Sequence, residues 1–591
     1  MEDKEKNTAT TQKEENAVVT SIKDFFKRWW KDSRNYKDRM SLSLLCGIAF
    51  AYTFVFFGPL ELTVSNLSSV DFTVADTATV MGVLAVIVLA IIAFALPLLK
   101  GKFFNAILTV LFSTTVCGYI QGTFLNGSMG QLTGDAIAWN LQKGQMILNT
   151  IIWIIIFLIP IIFLKKNKKL WRSTIAFMSV LIVISQTVAL ISLSATSKPE
   201  KETGATNTAE SYLSTKDLVN YSSQSNMLVF LVDRLDYDYI EEVFADDQSF
   251  FNGLDGFTLY TDVVSEFART KPAANYLLTN YKEGVYKTPQ VEFLRKSWDQ
   301  GNRHMIKDLN GAGYTVDFYG EAGELFGDAM YFQNQVDNIS SGSEKISPIN
   351  LAKNLTTVCA YRYLPLAMKP FFWTYSEDIN KDVFADSERY EVDETILNGK
   401  LKDAKTTGST KYFKYYHFMG SHSPCILKAD GTKSTDGNTT TLEQTKGSLQ
   451  IVFNTLNKLK ELGVYDKTSV LILGDHGAAI SDSKPVQKAT SIGLFYKPAG
   501  ASGTPFKTDD TFVSVNSVPA TIMKSVGLNY SAYGTPLDEV VQNPNLVREF
   551  YKSTVGEYHE EMVYHYNIVG TARNFANWKI VDTFPATEYF Y

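Results

Sequence analysis

The sequence predicts a chain in two parts. An N-terminal domain of five transmembrane helices spans residues 40–195, and an α/β domain, a mostly parallel sheet flanked by helices, spans residues 226–591. Three observations lead there. Apolar residues crowd into five runs before residue 195. After residue 226, short β-branched runs alternate with helix-like stretches, the pattern of a parallel sheet covered by helices. Several of those strand-like runs end in Asp, His or Gly, and strand ends in α/β sheets are where ligands bind.

The five runs lie near 41–60, 78–99, 103–122, 145–164 and 172–194, each long enough to cross a bilayer as a helix. The stretch from Ile151 to Ile159 offers water no polar face. Loop charge sets the orientation. Lys23, Lys27, Arg28, Lys31, Arg34, Lys37 and Arg39 precede the first helix, Lys100 and Lys102 follow the second, and Lys165, Lys166, Lys168, Lys169 and Arg172 follow the fourth. The alternate loops, 61–77 and 124–143, carry Asp71, Asp76 and Asp135 with Lys143 as their one base. The N-terminus is therefore expected in the cytoplasm, and the α/β domain outside the cell (plasma or inner) membrane.

Residues 1–39 form a basic cytoplasmic segment. Its first 20 residues read as disordered, and Phe25, Phe26, Trp29 and Trp30 suit either an interfacial helix or a flexible tail. Residues 196–225, rich in Ser, Thr, Lys and Glu, read as a linker. A net charge of −6 over 591 residues gives no reason to expect a nucleic-acid partner. Cys46 and Cys117 fall in the apolar runs; Cys359 and Cys425 fall outside, where a disulfide is chemically allowed but spacing alone does not pair them.

In the second part, Met227–Val232 is a fully apolar strand running into Asp233. Phe257–Val264 reads as strand, Pro272–Tyr281 as helix, Glu292–Asn310 as helix, and Tyr314–Tyr319 as strand. Lys411–Phe418 is a strand, Thr441–Leu462 a long helix, and Ser469–Leu473 a strand that ends in Gly474-Asp475-His476-Gly477.

Four segments carry the chemistry. Asp233, Asp475 and His476 are hard or borderline donors suited to one divalent ion, Mn2+, Zn2+ or Mg2+. Thr270 lies just ahead of Pro272, near a helix cap, and its oxygen suits the fourth ligand position. Coordination would lower the hydroxyl pKa and make it a nucleophile; the plain alternative is an N-cap. His417 and His422, in His417-Phe418-Met419-Gly420-Ser421-His422-Ser423-Pro424, are candidates to hold a phosphoryl group or protonate a leaving oxygen. His417 also reads as a core histidine, and Asp236 reads as a helix start.

These motifs resemble the alkaline phosphatase/sulfatase superfamily, and in plan its membrane-anchored transferases, the lipoteichoic acid synthases and the phosphoethanolamine transferases. The Gly-Asp-His-Gly turn is shared. Residues 417–424 are similar to the His-x-x-Gly-Ser-His-Gly-Pro of the phosphoethanolamine transferases. Thr270 with Ala273, Leu277 and Leu278 looks like the nucleophile helix of lipoteichoic acid synthases, and Val513–Ile522 followed by Gly527 resembles the superfamily's late segment. The likeness covers roughly residues 226–585.

The chain departs from the family's patterns in three places. Thr270 cannot yield the formylglycine aldehyde of sulfatases, and Ala274 stands where their Arg would be. Arg234 follows Asp233 where sulfatases have a second Asp. Residues 478–490 lack the further His of the phosphoethanolamine transferases, which favours one core metal.

The resemblance implies a metal-dependent transfer of a phospholipid head-group phosphate, as glycerol phosphate or phosphoethanolamine, through a phosphothreonine to a cell-envelope glycan or glycolipid. A membrane-tethered phosphodiesterase or phosphatase is the alternative. Arg269, Arg362 and Lys369 are candidates to bind the lipid phosphate.

Overall fold

The computed structural model describes residues 36–66, 70, 72–127, 139–196, 211–301, 304–341, 345–374, 379–380, 383–385, 388–408, 410–434, 438–478, 484–555 and 560–588. The basic segment before residue 36 and residues 197–210 of the expected linker lie outside them. The chain divides into two compact units.

The first unit holds five helices long and apolar enough to cross a membrane: α1 Tyr36–Ser65, α2 Val74–Leu98, α3 Gly101–Leu125, α4 Lys143–Lys166 and α5 Lys168–Ala195. Their number matches the sequence reading, with ends a few residues wider. Thr73 and Asp76 form a reciprocal capping box that starts α2. Leu42, Cys46, Leu96, Phe104, Leu108, Phe112, Trp171 and Ile175 pack as a core between helices, while Val86, Ile91, Ile154 and Val188 stay exposed on the outside. Apolar residues facing outward suit a lipid surround.

Residues 345–385 belong to this first unit, although the sequence reading placed them in the α/β domain. The reason is packing. Lys345 and Ile346 pair antiparallel with Ala385 and Phe384, closing the insert at its base. Its helix, Pro348–Tyr363, buries Leu351 and Leu355 against Val70, Phe72 and Met81 at the start of α2. No apolar run marks the segment as part of the membrane domain, so periodicity could not reassign it.

The second unit is built on a seven-stranded sheet: β1 Asn226–Val232, β2 Thr258–Tyr260, β3 Tyr314–Tyr319, β4 Lys411–Phe418, β5 Thr468–Leu473, β6 Leu494–Lys497 and β7 Lys507–Asp509. The spatial order is β7-β2-β6-β5-β1-β4-β3. Four of the neighbouring pairs are parallel and two, both involving β6, antiparallel, so the sheet is mostly parallel as expected. β1 is buried over its whole length between β4 and β5, which is why it reads as an unbroken apolar run. Helices α6 Tyr237–Asp246, α7 Thr270–Thr279 and α8 Thr441–Glu461 are among those in the unit.

Three local expectations are corrected. Part of the linker is structured: 211–213 pairs with 339–341, and 220–222 with 405–407. The helix expected over Glu292–Asn310 is two helices, Gln290–Gln300 and Met305–Gly311. Gly301 ends the first of them, and a Cβ there would lie 2.4 Å from the Ser297 and Thr279 carbonyl oxygens. Thr270 is the first helical residue of α7, with Arg269 as its N-cap, so Thr270 is not the cap.

A C-terminal sheet of β8 Val547–Val555, β9 Glu560–Val569 and β10 Trp578–Pro585 has no counterpart in the sequence reading. It grips the segment before α7. Tyr551 N–H donates to Glu266 O at 2.7 Å, and Ala268 N–H to Tyr551 O at 3.1 Å.

Candidate active site

The sheet brings the carboxyl ends of β1, β4 and β5 side by side. β1 delivers Asp233, β4 delivers His417, and β5 delivers Asp475 and His476. Asp233, Asp475 and His476 are buried, and one ligand atom from each lies within 4.8 Å of the others; no other such His, Cys, Asp or Glu group occurs among the described residues.

The distances test whether these residues suit a metal. His476 Nε2 lies 3.7 Å from Asp233 Oδ1 and 3.6 Å from Asp475 Oδ2. Thr270 Oγ1 lies 3.4 Å from Asp233 Oδ2 and 3.4 Å from His476 Nε2. Ligands held about 2.1 Å from a tetrahedral ion stand about 3.4 Å apart. Asp475 Oδ2 is buried without a hydrogen-bond donor, an arrangement that otherwise carries a desolvation cost. His476 Nδ1–H donates to Gly477 O at 2.9 Å, which leaves the Nε2 lone pair facing the acids. The four residues fit a divalent cation.

Neighbouring groups hold this geometry. Asp475 Oδ1 accepts from Arg234 N–H at 2.8 Å and His476 N–H at 2.7 Å. Burial pushes the Asp475 pKa up, but His476, the Arg234 N–H and His417 outweigh it and hold the carboxyl below its ordinary value. It is therefore ionised at neutral pH. Asp236 caps α6 as expected, and its other oxygen accepts from Ala478 N–H at 2.7 Å and Thr490 Oγ1–H at 2.9 Å, fixing the turn after His476. Gly477 has no room for a side chain, since a Cβ would meet Thr490 Oγ1 at 1.7 Å.

Thr270 opens α7, where the first-turn N–H groups lack intrahelical carbonyl partners and face any anion brought to the hydroxyl. Pro272 stands in that turn and needs no partner. Arg269 is half-buried immediately before it.

His417 is buried with Nε2 3.9 Å from Asp233 Oδ2. Burial lowers its pKa to about 4, so it is an uncharged imidazole at neutral pH. His422 is half-buried, with Nδ1–H donating to Ser423 O at 2.5 Å. Its pKa is lowered, first by burial and further by His476 and Arg234, against the Ser423 carbonyl and Asp475, which raise it. The loop between the two histidines passes close to β1. Gly420 adopts φ +61°, and a Cβ there would stand 2.3 Å from Asp233 O.

Glu394 was not anticipated. It is buried, and its carboxylate accepts from Met419 N–H at 3.1 Å and Gly420 N–H at 3.3 Å, so it holds the His417–His422 loop in place. Only Asp393 as a helix cap marks the stretch in sequence, and that signal does not reveal the contact.

Two candidates belong to the first unit instead. Arg362 pairs with Glu61 at 2.5 Å. Lys369 is buried, with Nζ–H bonded to Tyr361 O and stacked 4.2 Å over the Tyr361 ring. Burial, then the charge of Arg362, lowers the Lys369 pKa to about 7. Neither side chain is presented as a free cation. Cys359 is buried in the first unit, and in the second Cys425 Sγ–H donates to Thr441 Oγ1 at 3.9 Å.

The family model described as Sulfatase matches residues 252–528, a range that includes Thr270, His417, His422, Asp475 and His476. Asp233 lies before the matched range. No curated protein matches the chain significantly. Among solved structures, the chain is similar to a protein in the alkaline phosphatase superfamily from Vibrio parahaemolyticus, with 13% identity, a TM-score of 0.36, and 63% of this chain and 85% of that one covered. It is also similar to a phosphonate monoester hydrolase from Silicibacter pomeroyi, with 13% identity, a TM-score of 0.35, and 59% and 87% covered. A third is the lipoteichoic acid synthase LtaP from Listeria monocytogenes, with 13% identity, a TM-score of 0.31, and 59% and 86% covered.

Proposed function

We propose that the protein is a membrane-anchored transferase that moves a phospholipid head-group phosphate, as glycerol phosphate or phosphoethanolamine, to a cell-envelope glycan or glycolipid. The observation that carries this reading is Thr270 Oγ1, 3.4 Å from both Asp233 and His476 at a helix N-terminus, in a chain with five apolar helices. A threonine at this position supports phosphoryl transfer over sulfatase chemistry, because oxidation of a secondary alcohol gives a ketone and no aldehyde.

In the first step Thr270 Oγ bonds to phosphorus and its proton leaves along the contact to Asp233 Oδ2. The bond from phosphorus to the diacylglycerol oxygen breaks, and His422 supplies that oxygen's proton. In the second step the acceptor hydroxyl attacks phosphorus, giving its proton back to His422, and Thr270 Oγ leaves and regains its own. The first-turn N–H groups of α7 hold the non-bridging oxygens throughout. A divalent ion held by Asp233, Asp475, His476 and Thr270 would supply the positive charge that acidifies the hydroxyl and offsets charge on the phosphoryl group.

The external location of the catalytic domain follows from the loop charges. It is supported by the insert packing on Val70 and Phe72, in the loop those charges assign to the outer side.

The experiment incubates the full chain with phosphatidylglycerol or phosphatidylethanolamine, each head-group labelled, with and without a glycolipid acceptor. Transfer leaves label on the acceptor and on the Thr270 peptide, and the added mass names the donor. Release of all label to water supports the hydrolase instead. An unlabelled Thr270 peptide with full turnover by Thr270→Ala refutes the nucleophile.

A further inference from the structure

The insert of residues 345–385 carries a surface that nothing in the proposed chemistry uses. Its helix drives Tyr363 into the helical bundle. A Cβ on Gly122 of α3 would lie 2.5 Å from the Tyr363 ring, and one on Gly58 of α1 would lie 2.8 Å from it. Phe54 of α1 packs edge-on against the same ring, centroids 5.7 Å apart. Glycines in both helices leave the socket for this ring. Polar bonds then lock the segment: Arg362 to Glu61, Asn126 Nδ2–H to Arg362 O at 3.0 Å, and Leu366 N–H to Asn149 Oδ1 of α4 at 3.0 Å. Asn149 Nδ2–H in turn donates to Gln121 Oε1 at 2.8 Å.

The chain that follows, Leu366–Phe371, is a short 3-10 helix lying along the end of α4. Its outward face is apolar. Phe371 is 78% exposed and Met368 40% exposed, while Lys369, the one cation of the turn, points inward and is buried. The neighbouring residues of α4 around Asn149, namely Ile147, Leu148 and Ile151, are also exposed. The start of α4 and the turn bonded to it through Asn149 therefore both present apolar side chains outward. A turn that buries its lysine and exposes Phe and Met is the reverse of a water-facing surface.

We infer that the insert is seated in the outer leaflet, with Phe371 and Met368 placed among lipid acyl chains at the headgroup boundary. The occupant is the bilayer itself, argued from the exposed apolar face of α4, to which the turn is bonded. Tyr363 and the Glu61–Arg362 pair fix the depth. The chain thereby meets the membrane again at a site about 150 residues beyond α5.

The test uses the full chain in phosphatidylcholine vesicles, with Cys425→Ser to remove the half-buried thiol. Phe371→Cys and, separately, Met368→Cys are labelled with the polarity-sensitive dye NBD. Val86→Cys, midway along α2, reports whether the helices are inserted at all. The expected result is blue-shifted emission at 371 and 368, quenching by lipids spin-labelled near the headgroup, and loss of quenching by aqueous iodide. Emission and iodide quenching like those of the dye on glutathione would overturn the inference. Resistance to both quenchers would overturn it equally, since the cover would then be protein. Lipid quenching at 86 with none at 371 and 368 separates a failure of this inference from a failure of membrane insertion.

Discussion

Glu394→Gln isolates the coupling between a buried acid and the loop that carries both histidines. Burial, then the charge of Asp393, raises the Glu394 pKa from 4.5 to about 7. A group with a raised folded-state pKa gives stability that is fully present below the unfolded value, near 4.5. That stability is lost as pH rises to about 7 and stays lost above it, because the folded state binds the extra proton over that window. The span of about 2.5 pH units corresponds to about 3 kcal/mol at 1.36 kcal/mol per unit. Glutamine cannot ionise. It also turns an N–H2 toward one of the two backbone donors, at a cost that does not depend on pH and cancels in the comparison. The variant should therefore gain about 3 kcal/mol relative to the parent between pH 4.5 and pH 7.5. The assay is urea unfolding of the full chain in detergent micelles, followed by tryptophan fluorescence at both pH values. An equal difference between variant and parent at the two pH values would refute the reasoning: Glu394 would then carry no proton in the folded state that it loses on unfolding.

Thr270→Ala should lower turnover by more than about 10³-fold while leaving the fold intact, checked by label transfer and by unchanged thermal unfolding. Removing divalent ions with EDTA should lower both turnover and the unfolding midpoint. Adding Mn2+ or Zn2+ at about 100 times its dissociation constant should restore about 2.7 kcal/mol, measured by a titrated thermal shift. Gly420→Ala forces a Cβ toward Asp233 O at a positive φ, and urea unfolding should show a loss of about 2–4 kcal/mol. Tyr363→Ala empties the socket between Gly58 and Gly122, and thermal unfolding in micelles should show a loss of about 3–5 kcal/mol.

Much of the fold was legible because its signals are local. A helix surrounded by lipid has no polar face, so α1–α5 stand out by composition alone. A central strand buried on both faces reads as an apolar run, so β1 and β5 were placed within a residue or so of their true ends, and the aromatic-rich β4 likewise despite Lys414 and His417. The motif residues Asp233, Thr270, Asp475 and His476 were legible because each ends a strand or opens a helix, where side chains face a common edge.

Contacts between segments far apart in sequence were not legible. The C-terminal sheet was missed because strands that pair at a surface have half-exposed, mixed sequences, and its grip on Glu266 and Ala268 is made by backbone groups common to all residues. Glu394 and Glu61 drew no reading from the sequence, because their partners lie some 25 and 300 residues away.

The sequence by itself determined that five helices precede a mostly parallel α/β domain, and which four side chains stand at its strand and helix ends. Tertiary structure alone decided that residues 345–385 leave that domain for the helical bundle, and that Arg362 and Lys369 are committed within it. The physical reason is that burial and side-chain periodicity are properties of neighbouring residues. The partner of a charge, and the surface a helix packs on, depend on which distant segment fills the same space.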